Sequence, residues 1–147
     1  MATAASSRTV QCVVVTPERA LLDEPADFVA VPLYDGEIGI LPGRAPLVGR
    51  LGYGELRLRR GTETKRFYID GGFVQVRDDV VTVLTSQALT AREIHPEQAE
   101  RALAEAQAPD AGKTAEQRLR AQERARAQLR VARHSGDWPP LGEERHG

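Results

Sequence analysis

A chain of 147 residues can bury one ordinary core with an appendage, and an apolar share of 41% with a charged share of 28% places it among soluble globular proteins rather than disordered or membrane-spanning ones. The formal net charge of -1 gives no overall attraction to nucleic acid or to an anionic membrane surface, so any electrostatic function has to be local. The single cysteine, Cys12, excludes an intrachain disulfide and points to a reducing compartment.

In chain order, Met1 to Ser7 has no basic segment feeding an apolar stretch and does not read as a secretory signal. No window approaches the roughly 18 apolar residues of a membrane span, so membrane association would come through partners. From about Val10 to Thr85 the pattern is that of strands. Cys12 lies in the run Val10-Gln11-Cys12-Val13-Val14-Val15 as a small hydrophobe, with nothing nearby to lower its pKa. Leu56 and Leu58 alternate with Glu55, Arg57 and Arg59, and Phe67 with Ile69, Val74 with Val76 and Val81 with Val83 repeat the period of two. Asp35-Gly36, Arg60-Gly61-Thr62, Asp70-Gly71-Gly72 and Asp78-Asp79 supply the turns. The predicted class is mainly β, a sandwich or barrel over residues 8–90, followed by a helical hairpin over 93–133.

The period changes after Ala91. Ala99, Ala102, Leu103 and Ala106 form one helical stripe beginning near Pro96, which suits a first helical position. Pro109-Asp110-Ala111-Gly112 breaks the chain, and a second helix runs from Thr114, a plausible N-cap, to about Arg133, with Leu119, Gln122, Ala125, Leu129 and Ala132 on one side. The second helix carries seven basic residues from Lys113 to Arg133 against Glu116 and Glu123, whereas Ala91 to Gly112 is net acidic, so the two helices are complementary. Their shared stripe is mostly alanine. Burying a leucine stabilises by roughly 1.5–3 kcal/mol and ordering a residue costs about 1–2 kcal/mol, which predicts a weakly held hairpin able to exchange partners. Residues 134–147, with Trp138-Pro139-Pro140, are expected to form a flexible tail.

No catalytic constellation emerges. Gly112-Lys113-Thr114 imitates the end of a phosphate-binding loop, but Gln107 stands where that loop needs its first glycine, and a helix precedes it instead of a strand. His95, His134 and His146 lack metal-ligand spacing. Asp78-Asp79 reads as a hairpin turn rather than a pair of catalytic carboxylates. No cofactor and no metal are expected.

The distinctive segment is Gly36-Glu37-Ile38-Gly39-Ile40-Leu41-Pro42-Gly43-Arg44-Ala45-Pro46-Leu47, a chain that turns tightly, buries a short strand and turns again. It resembles the G-E-x-G-x-x-P-G-H-A-P-L signature of the epsilon subunit of F-type ATP synthases, called delta in mitochondria. Val15-Thr16-Pro17-Glu18, Gly71-Gly72-Phe73 and Val81-Thr82-Val83-Leu84 resemble the same family in the same order. The resemblance implies a non-catalytic central-stalk subunit at the cytoplasmic face of a bacterial plasma membrane. Its sandwich would dock on the gamma subunit and the loops of the membrane c-ring, and its hairpin would inhibit ATP hydrolysis by reaching the catalytic alpha and beta subunits. On that reading Glu37, Ile38, Gly39, Pro42, Gly43 and Arg44 are the expected contact group for the ring and gamma, and Arg118, Arg120, Arg124, Arg126, Arg130 and Arg133 the inhibitory set. Arg44 replaces the usual histidine and Tyr53 a usual proline. The family's ATP-binding I-D-x-x-R-A motif is replaced by Ile94-His95-Pro96-Glu97-Gln98-Ala99, so tight ATP binding is not expected. The competing readings are a nucleic-acid-binding module using the basic helix, which lacks interleaved aromatics, and a free-standing nucleotide-binding regulator.

Overall fold

The computed structural model describes residues 8–108 and 112–133; the predicted tail with Trp138 and most of the Pro109–Gly112 break lie outside the described residues. Eight strands come first: β1 (Val10–Val15), β2 (Ala20–Ala26), β3 (Phe28–Leu33), β4 (Gly36–Ile40), β5 (Leu47–Arg60), β6 (Glu63–Arg77), β7 (Val80–Leu84) and β8 (Ala88–Thr90). A 3-10 turn (Ala91–Glu93) leads into α1 (Pro96–Gln107) and α2 (Ala115–Arg133).

The strands hydrogen-bond in the order β2-β1-β7-β6-β5-β3-β4, with β8 pairing to β6. All pairs are antiparallel except β1 with β7. Two long strands turn this path into a sandwich. Leu47–Leu51 of β5 pairs with Gly72–Val76 of β6 in the layer that continues to β7, β1 and β2, whereas Tyr53–Arg60 pairs with Glu63–Asp70 in the layer that continues to β3 and β4. The pairing is interrupted between them, at Gly52 and Gly71. Gly72 is required at this corner, because its φ is +113° and a Cβ there would collide with the Leu84 carbonyl.

The alternating residues fill the space between the layers. Leu56, Leu58, Ile69, Val74, Val76, Val81 and Val83 are buried, Phe67 packs against them partly buried, and Val10, Cys12 and Val14 join from β1. A second, smaller cluster lies outside this core, where Ala127 and Val131 of α2 meet Tyr68 and Ile94.

Both helices begin as predicted. Pro96 opens α1, and Thr114 caps α2 by a reciprocal box in which its Oγ1 accepts the Gln117 N–H at 3.0 Å while the Gln117 Oε1 accepts the Thr114 N–H at 2.9 Å. Gly112-Lys113-Thr114 is therefore a helix entrance. The single buried stripe expected of α2 is corrected to two. Ala125 and Leu129 lie on the side of Gln122, whose Nε2 donates to the Ala106 carbonyl of α1. Ala127 and Val131 form a separate stripe against the sandwich. Leu119, expected on the buried side, is 54% exposed, and Ala102 of α1 is exposed.

Candidate functional site

Glu37 sits on β4 opposite Pro32, half exposed, and its carboxylate is engaged by Arg57 through two bonds of 2.9 and 3.2 Å. Arg57 also lies 3.6 Å from Glu55, a carboxylate only 5% exposed, which pairs with Arg66 at 3.2 Å. An alternating ladder, Glu37-Arg57-Glu55-Arg66, thus crosses the outer face of the β3–β6 layer, and the hydrogen bond to Glu37 raises the Arg57 pKa above its ordinary value. Ile38 packs half-buried against the core, and Gly39 leaves room for the Phe28 ring, which a Cβ would meet at 2.7 Å.

The rest of the expected contact group, Pro42, Gly43 and Arg44, lies in the loop that follows. Leu41, Gly43 and Arg44 are exposed and Pro42 is half-buried. Gly43, at φ +89°, donates its N–H to Asp79 Oδ1 at 2.7 Å, and the other Asp79 oxygen lies 3.3 Å from Arg8. Asp78 and Asp79 both have positive φ, as a two-residue hairpin turn demands. The Gly43 N–H and Arg8 hold the Asp79 carboxyl below its ordinary range, which makes it a structural anion instead of a proton carrier.

The loop leads into an uncovered apolar face that sequence reasoning missed. Val48 at 74%, Phe73 at 57% and Leu84 at 49% exposure stand on the outer face of the β5–β7 layer, with Val80 nearby; Phe73 is directly opposite Leu84, and Gln75 lies between Val48 and Thr82. The signal was present in Val80-Val81-Thr82-Val83-Leu84, which is apolar at positions facing both ways, as strands covered on both faces are. Exposed apolar side chains gathered in this way mark an interaction surface.

The six arginines of α2 differ in what they touch. Arg118 donates to the Lys113 carbonyl at 3.1 Å, and Arg120 lies 3.5 Å from Glu116 one turn earlier. Arg124 grips Asp70 with Nε at 3.1 Å and Nη2 at 2.9 Å, its guanidinium 5.5 Å from the Tyr53 ring centre. Tyr68 Oη donates to Asp70 at 3.1 Å, and burial together with the Asp70 charge pushes that hydroxyl above its ordinary pKa. The expected inhibitory role of Arg124 is thus set against an internal partner. Arg126, Arg130 and Arg133 are exposed, take no ion pair among the described residues, and share one helix face at i, i+4 and i+7.

A cleft of about 720 Å³ opens between the β5–β6 corner and the start of α2, but Asp70, Glu116 and Glu123 line it beside Arg50 and Arg120, a mixture unsuited to polyphosphate. Among the described residues no group of three His, Cys, Asp or Glu side chains is placed to hold a metal, and no helix is long and apolar enough to cross a membrane.

Residues 9–91 match the family described as ATP synthase, delta/epsilon chain, beta-sandwich domain. The chain belongs to this family. Two relatives illustrate the match. The ATP synthase epsilon chain of Rhodopirellula baltica is 48% identical over 130 residues, covering 85% of this chain and 99% of that one. The epsilon chain of Bacillus subtilis is 41% identical over 100 residues, 68% and 76% of the two chains. A chain in the Euglena gracilis mitochondrial ATP synthase structure of OSCP, F1 and c-ring superposes with a TM-score of 0.73 at 29% identity, over 86% of this chain and 82% of that one. A chain of the Tetrahymena thermophila mitochondrial enzyme shares the fold, with a TM-score of 0.61 at 18% identity over 87% and 96% of the two chains. As a homologue of ATP synthase epsilon chains, the protein is a non-catalytic ATP synthase subunit, and the nucleic-acid reading of its basic helix finds no support.

Proposed function

We propose that the sandwich joins this subunit to the rotor through the uncovered face of Val48, Phe73 and Leu84, seated against the gamma subunit, while the adjoining loop Leu41–Arg44 and the start of β4 at Glu37 face the polar loops of the membrane c-ring. Coupled in this way, the subunit transmits ring rotation driven by proton flow to ATP synthesis, working as a peripheral component at the cytoplasmic face of a bacterial plasma membrane. Its hairpin inhibits ATP hydrolysis when the basic stripe of α2 meets an acidic surface on the catalytic alpha and beta subunits.

The observation that carries the docking reading is the uncovered sheet face itself. A folded subunit leaves three large apolar side chains together on a rigid sheet when another surface covers them in the working assembly. The loop supports the second contact, being exposed yet fixed by the Gly43–Asp79 bond. The test is purification of tagged chain from cells in mild detergent. Wild type is expected to bring down an ATPase complex with its ring, and the Phe73→Glu, Leu84→Glu double variant, folded by circular dichroism, is expected to bring down neither. Wild-type recovery with the folded double variant would overturn the assignment of this face.

A further inference from the structure

We infer that Asp70 and Arg124 form the catch that decides how often α1 and α2 leave the sandwich, an assignment that rests on the regulatory reading of the hairpin given above. Three observations converge on this pair.

The first is the placement of Arg124. Arg124, Ala127 and Val131 fall at i, i+3 and i+7, so the arginine belongs to the stripe that faces the sandwich and not to the exposed basic stripe. Its guanidinium meets the carboxylate through two parallel bonds, the most directional geometry an ion pair offers.

The second is the rigidity of the receiving side. Asp70 ends the straight part of β6 just before the corner at Gly71 and Gly72. Its N–H donates to the Gln87 carbonyl at 3.0 Å, its own carbonyl accepts Ser86 Oγ at 3.0 Å, and its carboxylate accepts Tyr68 Oη. The acceptor is therefore held in place before the helix arrives, and little ordering remains to oppose the contact.

The third is how little apolar surface α2 itself brings to the seam. Its contribution is chiefly the short side chains of Ala127 and Val131, which meet Tyr68 and Ile94. The Asp70 side chain is only 9% exposed while docked. Without Arg124 the docked state keeps a poorly hydrated carboxylate with no counter-charge, whereas the undocked state returns it to water. Removing Arg124 therefore costs the docked state more than the attraction of the pair alone, because it strands the Asp70 charge, and the balance shifts towards release.

The experiment is a double-mutant cycle on the full chain, read by hydrogen exchange of α2 amides and, after reconstitution, by ATP hydrolysis of the complex. Arg124→Gln should speed exchange across α2 by about tenfold, and Asp70→Asn combined with Arg124→Gln should return it most of the way, because no charge is then stranded and Asn still accepts from Tyr68. Unchanged exchange in Arg124→Gln would overturn the catch. So would fast exchange that the added Asp70→Asn does not slow, since Arg124 would then act through Tyr53 alone. If exchange follows the cycle and the variants alter hydrolysis in the same order, both the catch and the inhibitory reading stand. If exchange follows the cycle and hydrolysis does not change, the catch stands and the inhibitory reading of the hairpin falls.

Discussion

The Gly43 N–H donates to the Asp79 carboxylate at 2.7 Å, tying the exposed loop behind β4 to the β6–β7 turn across 36 positions of sequence. Both ends of this tether have positive φ, so each backbone is shaped to bring the bond together. A carboxyl depressed in the folded state contributes its contact fully above the ordinary value near 3.8 and loses it as pH falls through the lower folded value. The Gly43 amide resonance should therefore stay constant from neutral pH to about 4 and titrate only below. A midpoint at or above 3.8 would show that the tether does not stabilise the anion.

Replacing Gly72 by alanine should be among the most damaging single changes in the chain. The position combines φ +113° with a Cβ that would strike the Leu84 carbonyl and lie 2.9 Å from Thr85 Cα. Gly61, at φ +62°, has nothing within 4 Å of the place an alanine methyl would take, so Gly61→Ala carries only the backbone strain of about 1 kcal/mol. Gly72→Ala should cost roughly 3 kcal/mol or more. Denaturant midpoints of the two variants check this, and similar midpoints would contradict the crowding at the corner.

These corners explain which parts of the fold were legible. Leu56 with Leu58 and Val81 with Val83 alternate because one face of each strand is buried, and they are buried as read. β2, Ala20-Leu21-Leu22-Asp23-Glu24-Pro25-Ala26, has no such alternation, because an edge strand paired only to β1 tolerates proline and charge. The two-sided burial of α2 was hidden by alanines: Ala125 and Ala127 face different neighbours, and nothing in their chemistry says which. The role of Arg124 was hidden for a similar reason. A charge run reads as solvated surface until its spacing from Ala127 and Val131 is set against a partner from a distant strand.

Cys12 should resist thiol reagents in the native protein. Burial, with Glu24 and Asp23 adding like-charge repulsion, pushes its thiol up from 9.0 to about 12. Iodoacetamide at about pH 8 should label the unfolded chain at least about tenfold faster than the folded one, since the reactive thiolate is scarce and enclosed. A raised thiol value contributes stability that is complete below the unfolded pKa and lost as pH rises through the folded one, so stability should decline from about pH 9 upward on this account. Equal labelling in native buffer and denaturant would refute the burial argument.

The basic stripe of α2 gives the last prediction, and its variants are chosen by what each arginine touches. Arg126, Arg130 and Arg133 are exposed on one face, apart from the stripe of Ala127 and Val131 that faces the sandwich. Arg118 and Arg120 are engaged locally, on the Lys113 carbonyl ahead of the helix and on Glu116 in its first turn. Replacing Arg126, Arg130 and Arg133 together by glutamine should therefore relieve inhibition of ATP hydrolysis in the reconstituted complex, whereas Arg118→Gln with Arg120→Gln should not. Glutamine has a helix propensity close to that of arginine, so loss of helix is not the expected cause, and circular dichroism should be unchanged. Exposed ion pairs contribute roughly 0.5 kcal/mol each, so losing three weakens the inhibitory contact by about tenfold at low salt. Raising the ionic strength screens the same attraction in the wild type, and its hydrolysis should approach that of the triple variant. Hydrolysis that is equal for wild type and triple variant at every salt concentration, or relieved as strongly by the Arg118 and Arg120 changes, would leave the stripe as solvated surface.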